Sequence, residues 1–96
     1  MKKKVRGKVC KQYEKLPQKD KEAALEQMKN IDNAETLNGI PNMIPMQGTN
    51  EPYYRIKFGA YRYLLYHDRE TDMVRVLSLL HRKDAYKKQN LPWVKG

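Results

Sequence analysis

At 96 residues the chain is long enough for one domain with one modest core. Its 40 % hydrophobic and 32 % charged composition excludes a disordered tail, and no apolar run approaches the roughly 20 residues a membrane-crossing helix needs. The net charge of +9 points to a polyanionic partner: nucleic acid, ribosome, acidic protein or anionic membrane surface.

That charge is unevenly spread. Residues 1–19 carry eight basic and one acidic side chain, net +7. Residues 20–52 are net −4, and residues 53–96 net +6. A basic–acidic–basic layout suggests one electropositive face. The start, "MKKKVRGKV", is basic, but no apolar stretch of signal-peptide type follows. A lone cysteine, Cys10, excludes an internal disulfide and a CxxC metal site. The expectation is a cytoplasmic protein without a structural metal or cofactor.

In chain order, residues 2–6 read as a short basic strand. Val9, Tyr13 and Leu16 recur at helical spacing, which predicts a helix over 7–16. Pro17 ends it and opens the next. In "PQKDKEAALEQMKNI", Ala24, Leu25, Met28 and Ile31 fall on one face, and Asp20 and Glu22 occupy the first turn, where the helix dipole favours acids. The short connection predicts an antiparallel helical hairpin. Residues 35–52 hold three of the five prolines and read as a long loop that laps Ile40, Met43, Ile44 and Met46 over the core edge.

The period then changes from 3.6 to 2. "YYRIKFGAYRYLLYHD" reads as strands 53–58 and 61–67 around Gly59-Ala60, with glycine placed for a type II′ turn. "DRETD" is a polar turn, and "MVRVLSLL", 73–80, is apolar on both faces at its C-terminal end, as a central strand would be. "KDAYKK", 83–88, reads as a short final helix with an Asp84–Lys88 pair. The expected fold is α+β: a single domain over 1–96, with an N-terminal helical hairpin packed on an antiparallel sheet and a short C-terminal helix.

A two-residue turn sets Phe58 opposite Tyr61, Lys57 opposite Arg62, Ile56 opposite Tyr63 and Arg55 opposite Leu64. Alternation then gives one face to Tyr54, Ile56, Phe58, Tyr61, Tyr63 and Leu65, and the other to Arg55, Lys57, Arg62 and Leu64. Like charges facing each other across strands cost up to about 1 kcal/mol. An anion between Lys57 and Arg62 turns that repulsion into a clamp. The competing reading is a solvated sheet face with long side chains splayed into water. Arg82 and Tyr86, emerging from the last strand, add a cation and a ring. Such a set suits RNA phosphodiester cleavage without metal: cations stabilise charge on the phosphoryl oxygens, a proton carrier serves the 2′-hydroxyl or the leaving oxygen, and a ring stacks a base.

On "YEKLPQKDKEAALEQM", "YYRIKFGAYRYLLYHD" and "VRVLSLLHRKDAYKK", most of the chain resembles the RelE/ParE superfamily of bacterial toxins from type II toxin–antitoxin pairs. The resemblance implies a metal-independent, ribosome-dependent endoribonuclease (an mRNA interferase) that cuts the codon in the A site of the 30S subunit. A cognate antitoxin would neutralise it by wrapping the basic cleft. Carried over by position, Arg55 and Lys57 match the basic pair of the second strand, Arg62 the transition-state arginine, Arg82 the arginine at the end of the last strand, and Tyr86 the base-stacking tyrosine. The complete set favours the nuclease branch over the ParE-like branch, which inhibits gyrase by binding it. An inactive antitoxin-binding module is a third reading. Some nuclease members carry lysine, a proposed general base, at the position of Arg55. Arginine, with a pKa above about 12, is a poor base, which leaves Lys57, Tyr86 or His81 to share the proton transfer.

Other charged residues complete the expected surface. Lys2, Lys3, Lys4, Arg6 and Lys8, with Lys83 and Lys87, are candidates for docking on mRNA or ribosomal RNA; a solvated face is the alternative for the N-terminal run. His67 reads as a turn residue, Arg75 as a solvated or antitoxin-facing charge, and Cys10 as core. Trp93 is either a tail residue packed on the sheet or an anchor for the partner.

Overall fold

Helices form where apolar side chains recur one turn apart. In the computed structural model, which describes residues 1–94, α1 spans Gly7–Glu14 and α2 spans Gln18–Asn33. Residues 95 and 96, within the expected domain, lie outside the described residues. Pro17 caps α2, and its carbonyl accepts the Asp20 and Lys21 N–H groups, both at 3.0 Å. The buried stripe of α2 runs Ala24–Gln27–Ile31, so Leu25 turns outward and is 48 % exposed. Cys10 is also exposed, not core: its position on α1 follows Val9, which takes the buried face.

Five strands follow the pattern in part. They are β1 (Lys3–Val5), β2 (Met43–Pro45), β3 (Tyr53–Phe58), β4 (Tyr61–Asp68) and β5 (Met73–His81), ordered β1-β5-β4-β3-β2 across one sheet. The β3–β4 register is the one expected, with Phe58 opposite Tyr61 and Lys57 opposite Arg62. Gly59 has φ +54°, as the first central position of a II′ turn requires.

Two expectations need correction. The sheet is not wholly antiparallel, because β1 pairs parallel with β5. The 35–52 segment is not only loop: Met43–Pro45 adds an antiparallel edge strand to β3. Pro45 is tolerated there because an edge strand has one side free of pairing. Within that segment Ile40 and Met46 are buried, as expected, whereas Ile44 stays 46 % exposed.

The core lies between the helices and one face of the sheet. Val9, Leu16, Ala24 and Ile31 meet Ile56, Phe58, Tyr63, Leu65, Val74, Val76 and Leu79 in one buried cluster. The Tyr63 hydroxyl donates to the Ala24 carbonyl at 3.2 Å, tying β4 to α2. A bulge shifts the β4–β5 register between Leu64 and Leu65, so Leu64 pairs with Ser78 and Leu65 with Val76. The extra residue explains the run of buried positions from Val76 to Leu79. β1 has ended by then, and the Gln12 side chain accepts the Leu79 N–H at 2.8 Å.

Candidate nucleic-acid interface

The face turned away from the helices carries Arg55, Lys57 and Arg62, whereas His81 pairs with Tyr61 on the core-facing side. Lys57 lies across from Arg62, and Arg55 across from Leu64 on one side and Ile44 on the other. β5 ends at His81, whose imidazole Nδ1 accepts the Lys83 N–H at 3.1 Å and so caps the single turn α3 (Arg82–Ala85). His81 also meets Tyr61 edge-on at 5.3 Å. The Arg82 N–H donates to the Ala60 carbonyl at 2.7 Å, which pins the start of α3 to the hairpin turn. Arg82 is therefore the first residue of the helix, and α3 is shorter than the expected 83–88. The expected Asp84–Lys88 pair is replaced by Asp84–Lys87 at 2.9 Å, since the chain leaves the helix after Ala85. The Lys87 side chain, with smaller help from His81 and Lys83, holds the Asp84 carboxyl below the usual range against a slight desolvation. Asn90 also donates to the Asp84 carbonyl at 2.9 Å. These bonds fix the segment that carries Tyr86.

Tyr86 is 48 % exposed, and the Arg55 guanidinium stands 5.9 Å from its ring centre. That separation is within cation–π range. Four ion pairs occur among the described residues: Lys3–Asp32, His67–Asp72, Arg75–Asp68 and Lys87–Asp84. Arg55, Lys57, Arg62 and Arg82 are in none of them.

Arg62 is not splayed into water. It is 7 % exposed, and its Nη1 donates to the carbonyls of Gly59 at 3.1 Å and Tyr61 at 2.8 Å. Its Nε is buried without a partner. Leaving a buried polar group unpaired costs about 1–3 kcal/mol. The turn therefore holds the guanidinium at the hairpin tip with part of its donor capacity unused.

The remaining basic candidates are divided. Lys3 is neutralised by Asp32 at the end of α2, whereas Lys4 pairs in register with Arg75 on β5. Lys2, Arg6 and Lys8 are exposed on or near β1, the sheet edge farthest from β2. Lys83 and Lys87 flank the site on and after α3, with Lys87 committed to Asp84. Arg75 bonds Asp68 at 3.1 Å, and His67 bonds Asp72 at 2.8 Å. Trp93 packs on Tyr53 at 5.4 Å, and Tyr53 on Tyr66 at 5.0 Å, so the tail lies on the sheet.

Sequence reasoning missed the wall built by β2. Ile44, Met46 and Gln47 line a concavity of about 370 Å³ with Arg55, Tyr86 and Leu91. A signal was present: Asn42 (φ +63°) and Gly48 (φ +87°) bracket the strand with the turn residues that bound a short β segment.

No family model and no curated protein sequence matches the chain. Solved structures do. A chain of the RelB–RelE antitoxin–toxin complex from Methanococcus jannaschii superposes with a TM-score of 0.71 at 22 % identity, covering 85 % of this chain and 93 % of that one. The archaeal RelE–RelB complex from Pyrococcus horikoshii gives 0.68 at 22 % identity, covering 88 % and 97 %. The isolated RelE toxin of E. coli gives 0.62 at 17 % identity, covering 83 % and 82 %. The chain has the RelE-like toxin fold.

Proposed function

We propose that this chain is the toxin of a type II toxin–antitoxin pair and that it cuts mRNA in the ribosomal A site. The observation that carries the reading is a set of cations in no ion pair among the described residues: Arg55, Lys57 and Arg62 share one sheet face, the Arg82 backbone is bonded to the same hairpin turn, and the exposed Tyr86 ring lies 5.9 Å from the Arg55 guanidinium. The likeness to RelB–RelE complexes supports an antitoxin as partner, and the net charge of +9 supports RNA and the ribosome. No helix among the described residues is long and apolar enough to cross a membrane; action in the cytoplasm belongs to the same reading.

The proposed reaction is metal-independent transesterification. The ribose 2′-oxygen attacks the adjacent phosphorus, the bond to the 5′-oxygen breaks, and a 2′,3′-cyclic phosphate remains. The 2′-hydroxyl gives its proton to a base in neutral or anionic form, and the 5′-oxygen leaves with a proton returned to it; Lys57, in its neutral form, Tyr86 and His81 are the groups proposed to share this transfer. His81 uses Nδ1 for its cap, which leaves Nε2 as its free nitrogen. Negative charge on the non-bridging oxygens falls to Arg62 and Arg82. Arg62 exchanges its bonds to two neutral carbonyls for bonds to phosphate, in which donor and acceptor are both ionised.

Expression of Arg62→Ala and Arg82→Ala in growing cells tests this. Each variant is expected to lose growth arrest while keeping the wild-type circular dichroism spectrum. A toxic double variant would sink the reading. One observation favours the binding-only alternative: Arg62 is buried against its turn. A folded wild-type chain that arrests nothing, yet binds an antitoxin, would establish that alternative.

A further inference from the structure

Two consecutive N–H groups fasten the start of α3. The Arg82 N–H donates to the Ala60 carbonyl at 2.7 Å, and the Lys83 N–H donates to Nδ1 of His81 at 3.1 Å. They are the first two of the helix and have no partner inside it. α3 has four residues, too few to hold helical form unaided, so its direction depends on such ties. His81 has the extended backbone of an N-cap, φ −65° and ψ 147°, but caps with a ring nitrogen where an oxygen is usual. The ring is itself held: Tyr61 meets it edge-on, and Tyr61 stacks on Phe58 at 6.1 Å. Cross-strand partners point to the same face of a sheet. His81 pairs with Tyr61, which packs against the helix-side core, so the ring lies on the opposite side of the sheet from Lys57 and Arg62.

A backbone N–H can only donate. Nδ1 of His81 is therefore without a proton, and the neutral ring carries its one proton on Nε2. We propose that His81 is a positioning residue: its neutral ring, in the Nε2–H form, sets the first turn of α3 and through it the places of Arg82 and Tyr86. The role deepens the mRNA-cutting reading, on which its effect on cleavage rests. The ring can take the 2′-hydroxyl proton only at Nδ1, which would give up the cap, so the accepting share of the transfer falls to Lys57 or Tyr86. The imidazolium would point one N–H at another and release the turn. The charged and titratable groups that face the ring among the described residues are Tyr61 from β4 and Lys83 and Asp84 from α3. The Asp84 carboxylate favours the imidazolium, and the Lys83 ammonium opposes it.

The test uses the full chain, isotope-labelled and free of RNA, in solution NMR. Above neutrality the imidazole nitrogen shifts of wild type should show His81 as the Nε2–H form, with the Lys83 amide protected from hydrogen exchange. His81→Asn offers an oxygen to the same N–H and no group that titrates, so it should keep both the Lys83 protection factor and the Tyr86 ring resonances. His81→Leu should lower the protection factor by about fivefold, the size of one lost cap, and shift Tyr86. Lowering the pH from about 8 to about 5, where histidine gains its charge, should release Lys83 in wild type but not in His81→Asn. On ribosomes, His81→Asn should recover most of the cleavage that His81→Leu loses. An Nδ1–H ring in wild type overturns the proposal, as does equal Lys83 protection in all three chains. So does a His81→Asn chain that keeps the protection yet cuts no better than His81→Leu, which would make the ring a proton carrier. If His81→Leu fails to fold, the wild-type tautomer and the acid release absent from His81→Asn decide the matter. The two readings fail separately. The expected exchange pattern without any mRNA cleavage by wild type would sink the nuclease and leave the cap. Cleavage by a chain with an Nδ1–H ring would do the reverse.

Discussion

Arg62 and Tyr63 follow one another along β4 and point to opposite faces of the sheet, so one serves the interface and the other the core. In the proposed reaction Arg62 donates to developing charge, so Arg62→Ala should lower the rate by about 10²–10³-fold by analogy with other oxyanion donors. Arg62→Lys keeps the charge but not the two-pronged geometry, and should recover only part of that loss in single-turnover cleavage. Tyr63→Phe deletes the bond to the Ala24 carbonyl and should cost about 0.5–1.5 kcal/mol, read as a lower urea midpoint with cleavage retained. Burial, and then the neighbouring Tyr13 and Cys10, push the Tyr63 phenol above the usual tyrosine range. A raised folded-state pKa gives stability that is intact below the unfolded value and lost as pH rises through the folded one. Wild type should therefore lose stability above about pH 10, the ordinary tyrosine value. Tyr63→Phe should lose less over the same range, and parallel pH–stability curves for the two would contradict the assignment.

The β3–β4 hairpin positions the cations, and its turn is the most sensitive point of that element. A side chain at Gly59 meets no atom within 4 Å, so the cost of substitution there is the backbone alone at φ +54°. Gly59→Val should destabilise by about 1–2 kcal/mol and also disturb the carbonyl that anchors Arg62. Gly59→Asn, which takes a positive φ more readily than a β-branched residue, should cost less than Gly59→Val in thermal melts. This hairpin was fully legible in the sequence, because a two-residue turn fixes register and alternation fixes faces. β2 was legible only through its bracketing turn residues, since three residues ending at Pro45 show no period and the pairing with β3 decides their state. The final helix was over-read. His81 caps it and Ala85 is fully buried, but the chain turns away at Tyr86, where tertiary packing wins over local propensity. The burial of Arg62 was equally hidden, since it depends on carbonyls of its own turn and not on residue type.

Across the whole molecule, charge and packing are separated by the sheet. One face joins α1 and α2 in the hydrophobic cluster, and the other presents cations at the hairpin end and tyrosines toward the tail. The parallel pairing of β1 brings Lys4 beside Arg75 on β5, so basic groups occur at the β1 edge as well as on β3 and β4. Binding of the chain to RNA or to ribosomes should therefore weaken steeply with salt. Neutralising Lys4 together with Arg6 should flatten the slope of log affinity against log salt by about 1.4–1.8, at about 0.7–0.9 for each phosphate that the chain no longer neutralises. An unchanged slope would place those two residues outside the RNA-binding surface.

Whether the unpaired cations cut mRNA on the ribosome is met head-on by mapping mRNA 5′ ends in a cell-free bacterial translation reaction after adding the purified chain. Naked mRNA and the Arg62→Ala variant serve as controls. A nuclease of the proposed kind leaves new ends at A-site codons, present only with ribosomes and absent with Arg62→Ala. Intact mRNA with undisturbed translation would refute it and leave the basic face as a docking surface alone.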